Sequence, residues 1–119
     1  MEVKSRWQDI FDNLVEHGFD VYSPSTKVGE CKEPYIVVKN NGSNRYRNYS
    51  TDEDLYSIMC YVPASKYSNL EPMIQEVKKA MKVLEPMIMP YGMQTPSFYD
   101  DSYKAHTVSI VYKNYKKML

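Results

Sequence analysis

The sequence predicts a two-layer α+β domain, in which two helices pack against a mainly antiparallel sheet of about four strands. Three features lead to this prediction: two stretches with a helical period, several short β-branched runs, and loops between most of those runs. Strands that are joined by loops pair most simply as antiparallel neighbours. We expect the 119 residues to form a single domain.

The first helix is predicted over residues 4–17. Trp7, Ile10, Phe11 and Leu14 recur there at the spacing of one helical face. Gly18 follows at the position where a left-handed helix cap is favourable. Residues 19–22 then indicate a short strand, which ends at the turn-forming sequence Ser-Pro-Ser.

The second helix is predicted over residues 68–85 and is the longest periodic stretch of the chain. Ser68 and Glu71 have the spacing of a capping box, and Pro86 ends the helix. The apolar stripe that we expect to face the sheet consists of Leu70, Ile74, Val77, Met81 and Leu84.

Three further strands are predicted at residues 35–38, 55–62 and 105–115. The first is short and β-branched, and the last alternates apolar and polar residues. The run 55–62 is apolar on both of its alternating faces, which is typical of a central strand. Cys60 lies in this run, and we expect it to be a buried residue rather than a nucleophile.

Residues 40–54 are predicted to be an exposed loop or hairpin arm. Arg45, Tyr46, Arg47 and Tyr49 interleave cations with aromatic rings, and this pattern is compatible with stacking on nucleic-acid bases. Two cations followed at once by Asp52, Glu53 and Asp54 make a poor track for phosphates, however. The composition therefore favours contacts between subunits.

Residues 87–103 are predicted to be an irregular interaction segment, because Pro90, Gly92 and Pro96 interrupt it. Asp100 and Asp101 are adjacent in the chain and so point to opposite sides of an extended backbone, which disfavours an acid/base pair. The candidate contact residues of this segment are Tyr91, Met93, Phe98, Tyr99, Asp100 and Asp101.

Composition gives no indication of an enzyme, a cofactor or a metal. Fifteen basic and fifteen acidic residues cancel, and the two cysteines lack metal-site spacing. His17 and His106 are expected at a helix end and at a strand start. No apolar run approaches the roughly 18 residues of a membrane span, so we expect no membrane contact. Twelve tyrosines favour half-buried positions and contacts between subunits.

The chain resembles the tail terminator, or tail completion, proteins of long-tailed bacteriophages and their prophages, and the related head–tail joining proteins. The resemblance covers most of the chain. It rests on element order and on the phrases GFDVY at residues 18–22, KEPYIVV at residues 32–38 and YSIMCYVP at residues 56–63. A long helix and a closing strand follow, as in that family.

The resemblance implies a structural protein that forms a ring, often hexameric, which caps the tail tube and joins it to the capsid. Its partners would be its own copies, the major tail tube protein and a head-completion or neck protein, with DNA only as passing cargo. It would be assembled in the host cytoplasm and would end in the virion. Arg45 and Arg47 of one subunit would then meet residues 52–54, or Asp100 and Asp101, of the next.

Two alternatives remain open at the level of the sequence. The first is another neck protein of a phage, such as a head-closure protein. The second is a small α+β domain that binds nucleic acid through the Arg/Tyr segment, with an affinity that falls steeply with salt.

Overall fold

The fold is α+β, with two helices and a mixed sheet of six strands. The computed structural model describes residues 5–45 and 51–117, with side chains described for residues 5–42 and 54–114. The helices are α1, Arg6–Glu16, and α2, Leu70–Met81. The strands are β1, Val21–Tyr22; β2, Tyr35–Arg45; β3, Thr51–Pro63; β4, Met89–Gln94; β5, Phe98–Asp100; and β6, Ala105–Lys117.

Helix α1 confirms the first periodic stretch. Ser5 caps its N-terminus by accepting a hydrogen bond from the Gln8 backbone N–H at 3.1 Å. Ile10 and Leu14 are fully buried against the sheet. Gly18 has φ of +91°, which is the left-handed conformation expected just after the helix end.

Helix α2 is shorter than the predicted stretch of residues 68–85. Segments of 3₁₀ helix, Ala64–Asn69 and Lys82–Leu84, flank it on both sides. Asn69 occupies the N-cap position, so the predicted capping by Ser68 does not occur. Because the α-helix starts at Leu70, Pro72 falls in its first turn, where its missing N–H leaves no hydrogen bond unmade.

Strand β3 is central, as its two apolar faces predict. The strand order is β1-β2-β3-β6-β4. β4 and β5 pair with the same edge of β6, β4 with one half of it and β5 with the other. Strands β2, β3, β6, β4 and β5 pair antiparallel, whereas β1 pairs parallel to β2, with Val21 opposite Ile36. The prediction of a mainly antiparallel sheet is therefore correct in outline, but it misses the parallel edge.

The prediction of about four strands is wrong in number, because residues 87–103 contain β4 and β5 instead of an irregular segment. Pro90 lies opposite Tyr112, and Met93 lies opposite Val111. Two residues bulge out between these pairs, one of them Gly92 with φ of +84°. The bulge allows a strand to pass through a sequence that contains both Pro and Gly.

The segment predicted at residues 40–54 as an exposed loop or hairpin arm is a hairpin arm where the structure describes it, and it contains a second bulge. The pairing of β2 with β3 shifts register between Asn40 and Ser43, and Gly42 there has φ of +91°. The Asn40 Oδ1 atom accepts a hydrogen bond from the Gly42 N–H at 2.7 Å. The Asn-Asn-Gly signal therefore marks a bulge inside a strand, and β2 continues to Arg45.

The core lies between the two helices and one face of the sheet. Asn13 is buried within it and donates from Nδ2 to the Ala80 carbonyl oxygen at 3.0 Å, which ties α1 to α2. The fully buried apolar side chains of this layer include Ile10, Leu14, Ile36, Val38, Ile58, Cys60, Val62, Val77 and Ile88. The opposite face of the sheet carries a smaller cluster of buried residues around Tyr35 and Tyr61.

Candidate assembly surfaces

Three strands project beyond the core as an arm, which consists of residues 43–45 of β2, 51–54 of β3 and 114–117 of β6. The buried apolar side chains described for these strands end at Val38, Tyr56 and Tyr112. β6 nevertheless continues for five residues beyond Tyr112, which corresponds to about 17 Å of extended chain. The strands of the arm therefore continue beyond the last buried apolar side chains that are described for them.

The arm contains several of the predicted contact residues. Arg45 lies opposite Asp52, and Asp52 lies opposite Lys116, so that basic and acidic residues alternate across the three strands. This register gives Arg45 an acidic neighbour within its own chain, in addition to the intersubunit partners that the sequence suggested. Glu53 lies opposite Asn44 and Tyr115. The predicted contacts Tyr46, Arg47 and Tyr49 lie outside the described residues.

Asp54 is predicted from the sequence to lie in an exposed segment, but its side chain is not exposed. It is buried, on the register position opposite Asn114, which is also buried. The two polar residues mark the point where the arm meets the body of the protein, beside Tyr56 at the edge of the core. Burial, followed by the charge of Asp54, raises the pKa of Tyr56 above its ordinary value.

The second surface is the outer edge of the sheet, formed by β4 and β5. Met93, Phe98 and Tyr99 are exposed by 57%, 50% and 44%. Large apolar side chains that are exposed together in this way are typical of interaction sites. Tyr91 is half-buried, and the Lys113 Nζ atom lies 6.0 Å from the centroid of its ring.

An aromatic trio on this edge consists of His106 and two tyrosine rings. The rings of Tyr67 and Tyr99 contact the imidazole edge-on, with centroid distances of 4.7 and 5.3 Å. The hydroxyl of Tyr67 lies 3.0 Å from the Ser97 Oγ atom, which connects the 3₁₀ turn before α2 to the segment before β5. The sequence identified Tyr99 as a contact residue but not Tyr67, because the two are brought together only by the fold.

Asp100 and Asp101 form the turn between β5 and β6. The Asp100 Oδ1 atom accepts a hydrogen bond from the Ser102 N–H at 2.9 Å, and the Tyr103 N–H donates to the Asp100 carbonyl oxygen at 3.2 Å. Asp101 remains 88% exposed and is 4.0 Å from the Lys104 Nζ atom. The turn is therefore held by its own hydrogen bonds while it presents a carboxylate to solvent.

A groove of about 400 Å³ lies between the C-terminal half of α2 and β4. Lys78 and Lys82, one helical turn apart, line one side of it, together with Glu85. Its other lining residues are mainly apolar and include Pro90, Met93, Ile110, Val111 and Tyr112. We call it the lysine groove. No local sequence pattern predicts this groove, because α2 and β4 are brought together only through the pairing of β4 with β6.

Four tyrosines form a stacked cluster on the sheet face opposite the helices. The rings of Tyr35 and Tyr61 stack at 4.8 Å and 10°, and Tyr22 and Tyr103 contact them edge-on. The Lys27 Nζ atom lies 5.1 Å from the Tyr22 centroid and 5.5 Å from the Tyr35 centroid. Burial raises the pKa of Tyr35 and of Tyr61 above their ordinary values. Packing within this cluster therefore accounts for part of the high tyrosine content.

The residues with catalytic potential occupy separate positions. Burial raises the pKa of the Cys60 thiol to about 12, so Cys60 is protonated at neutral pH. Cys31 is also buried, and burial raises its pKa as well. The His17 Nδ1 atom lies 2.7 Å from the Asn13 carbonyl oxygen at the end of α1. Among the described residues, no group of three His, Cys, Asp or Glu side chains is arranged to hold a metal ion.

Comparison with known proteins adds no identification. No protein-family model matches the chain, and no curated protein matches it. No helix in the described part of the chain is both long and apolar enough to cross a membrane.

Proposed function

We propose that this protein is a structural virion protein of a long-tailed bacteriophage or prophage, and that its copies form a ring at the end of the tail tube. The ring, by resemblance a hexamer, would contact the major tail tube protein on one side and a head-completion or neck protein on the other. Its lumen would let DNA pass. The protein would assemble in the host cytoplasm and remain in the virion.

The observation that carries this proposal is the arm of β2, β3 and β6. A strand extension that continues beyond the apolar core is stabilised when it packs against a second molecule. An arm on one side of a subunit that packs on a different surface of the next subunit makes a heterologous contact, which closes into a ring when the rotation is a simple fraction of a turn. The resemblance in the sequence supplies the identity of that ring.

The charge pattern of the arm supports contacts between subunits. Arg45, Asp52 and Lys116 occupy one cross-strand row, so the arm presents both signs of charge rather than a basic track. Such a row suits a partner with complementary alternating charges, whereas the phosphates of nucleic acid require clustered cations.

Native mass spectrometry and negative-stain microscopy of the purified protein test the proposal. We expect a closed ring, alone or after addition of purified tail tubes from the same phage. The variant Arg45→Glu/Arg47→Glu should weaken or abolish it. Lys32→Glu/Lys79→Glu is a matched control, because it changes the net charge equally at two exposed positions outside the arm.

The control separates loss of the ring from loss of the fold. Far-UV circular dichroism and thermal unfolding should be similar for both variants, since neither changes a described core residue. A ring that persists in Arg45→Glu/Arg47→Glu would exclude these two residues from the contact. A protein that forms no ring either alone or on tail tubes would refute the proposed function.

A further inference from the structure

The outer edge of β6 carries two complementary features on one surface. One is the lysine groove, beside residues 110–112 of β6. The other is the acidic hairpin, which we define as residues 98–101 and which pairs with residues 105–107 of β6. The groove is apolar with two ammonium groups at its side, and the hairpin is aromatic with two carboxylates.

The charges of the groove lack partners within the described chain. Lys78 and Lys82 form no ion pair with another described residue, and their two positive charges exceed the single negative charge of Glu85 in the groove lining. An apolar cavity with a positive rim favours a ligand that combines an apolar body with carboxylates.

The acidic hairpin has this chemistry. Phe98 and Tyr99 are about half exposed, and Asp101 is 88% exposed. The Lys104 Nζ atom lies 4.0 Å from Asp101, so Asp100, Asp101 and Lys104 together carry one net negative charge. The hydrogen bonds of the Asp100 turn hold the hairpin in shape, so little conformational freedom is lost when it binds. A volume of about 400 Å³ is of the size that accommodates a large aromatic side chain.

We propose that two copies of this chain pair about a two-fold axis, with the acidic hairpin of each copy seated in the lysine groove of the other. Both features lie on the same edge, and the five residue steps from His106 to Val111 separate them by about 17 Å along β6. A two-fold axis between them forms both contacts at once, because in an isologous interface residue i of one copy meets residue j of the other and the reverse. Residues 94–97 lie next to that axis.

The pairing is independent of the proposed ring. A ring needs a heterologous contact, for which the arm is the candidate, whereas the β4–β5 edge supplies an isologous one. The two contacts use different surfaces, so the loss of one leaves the other in place.

Charge reversal tests the pairing. The variant Lys78→Glu/Lys82→Glu places negative charge on both sides of each contact, and Asp100→Asn/Asp101→Lys removes the carboxylates from the hairpin. For each variant alone, sedimentation velocity over a concentration series should show a dissociation constant of the pair raised by at least about tenfold. Lys32→Glu/Lys79→Glu, which changes no groove or hairpin residue, should pair as the native chain does.

Mixing the two variants gives the decisive result. A heterodimer contains one chain of each variant. In it the reversed groove meets the reversed hairpin, and the native groove meets the native hairpin. We therefore expect native mass spectrometry to show mixed pairs in preference to homodimers of either variant. Circular dichroism should confirm that both variants fold.

The outcomes separate this proposal from the ring. The two-fold pairing is refuted if both charge variants pair as the native chain does, or if mixing the variants does not restore pairs. Either result leaves the ring proposal unaffected. If the pairs are lost and restored as described while no ring forms, the pairing stands and the proposed function fails. A native chain whose assemblies all contain an odd number of subunits would also overturn the two-fold contact.

Discussion

The buried thiol of Cys60 should make the stability of this fold depend on pH in the alkaline range. Cys60 is fully buried in the central strand, and burial raises its pKa from 9.0 to about 12. In the unfolded chain the thiol ionises near its ordinary pKa, whereas in the folded chain it stays protonated. The native state therefore binds more protons than the unfolded state between about pH 9 and pH 12, and its stability falls as pH rises through that window.

The size of the effect follows from the two pKa values. The contribution of the protonated Cys60 thiol to the free energy of unfolding is complete below about pH 9 and is progressively lost as the pH rises above that value. At about pH 11 the unfolded thiol is ionised and the folded thiol is not, which lowers the free energy of unfolding by roughly 2–3 kcal/mol relative to pH 8. This loss is a substantial part of the 5–15 kcal/mol that is typical of a domain.

Urea unfolding of the native chain and of Cys60→Ala, in reductant at pH 8 and pH 11, measures this term. The substitution removes the titrating group, while the tyrosines whose pKa burial raises, Tyr35, Tyr56, Tyr61 and Tyr112, remain in both proteins. Cys60→Ala is expected to be less stable at pH 8, because it leaves a small cavity, but it should lose roughly 2–3 kcal/mol less than the native chain between the two pH values. Equal losses in the two proteins would refute a raised thiol pKa.

Three further substitutions, the first with a matched control, test the packing. Asn13→Ala should lower the free energy of unfolding by about 1–2 kcal/mol, because it removes the hydrogen bond to the Ala80 carbonyl oxygen. Asn69→Ala removes no side-chain cap bond and should change the free energy of unfolding by less than about 0.5 kcal/mol. Equal effects of the two substitutions in urea titrations would contradict this expectation. Met81→Ala should cost about 2–5 kcal/mol by the same measurement, since Met81 is buried between α2 and the sheet. Trp7→Phe should lower the free energy of unfolding by about 1 kcal/mol, because it removes the 2.7 Å hydrogen bond from Nε1 to the Val38 carbonyl oxygen. An unchanged midpoint of urea unfolding would show that this bond does not contribute to stability.

The two helices could be predicted from the sequence because their information is local. The stripe that includes Leu70, Ile74, Val77 and Met81 appears in the sequence and is buried in the fold. Helix ends were less certain, since Ser68 and Glu71 have the capping-box spacing yet the helix begins at Leu70. A kinked 3₁₀ segment, Ala64–Asn69, precedes that boundary, and the local sequence pattern does not indicate it.

Strands β4 and β5 could not be predicted because their stabilising partner is distant in the chain. Pro90, Gly92 and Pro96 are local signals for a loop, and they are strong ones. Pairing with β6 overrides them, with a bulge at Gly92 that absorbs the irregularity. Gly42 shows the same effect in β2: a turn signal becomes a bulge when both flanking segments find a partner strand.

The candidate surfaces divide in the same way. Phe98, Tyr99 and Asp101 could be selected from the sequence because large apolar and acidic residues are unusual together in a segment with turn residues. The lysine groove and the aromatic trio around His106 could not, since each combines residues from α2 or the turn before it with residues from the β4–β6 region. Sites that are assembled from several elements require the topology before they can be recognised.

The arm and the β4–β5 edge together predict the symmetry of any larger assembly. A heterologous contact through the arm generates a cyclic ring, and an isologous contact through the edge adds two-fold axes perpendicular to the ring axis. In the purified protein, without tail tubes or a neck protein, both contacts together give a double ring with dihedral symmetry and an even number of subunits. The two ends of that double ring are equivalent, so the pairs must separate before one ring binds different partners on its two sides. Lys78→Glu/Lys82→Glu should then halve the native mass to a single ring, whereas Arg45→Glu/Arg47→Glu should reduce it to pairs. Native mass spectrometry of the two variants distinguishes these products, and a variant of the groove that yields single subunits would show that the arm alone does not close the ring.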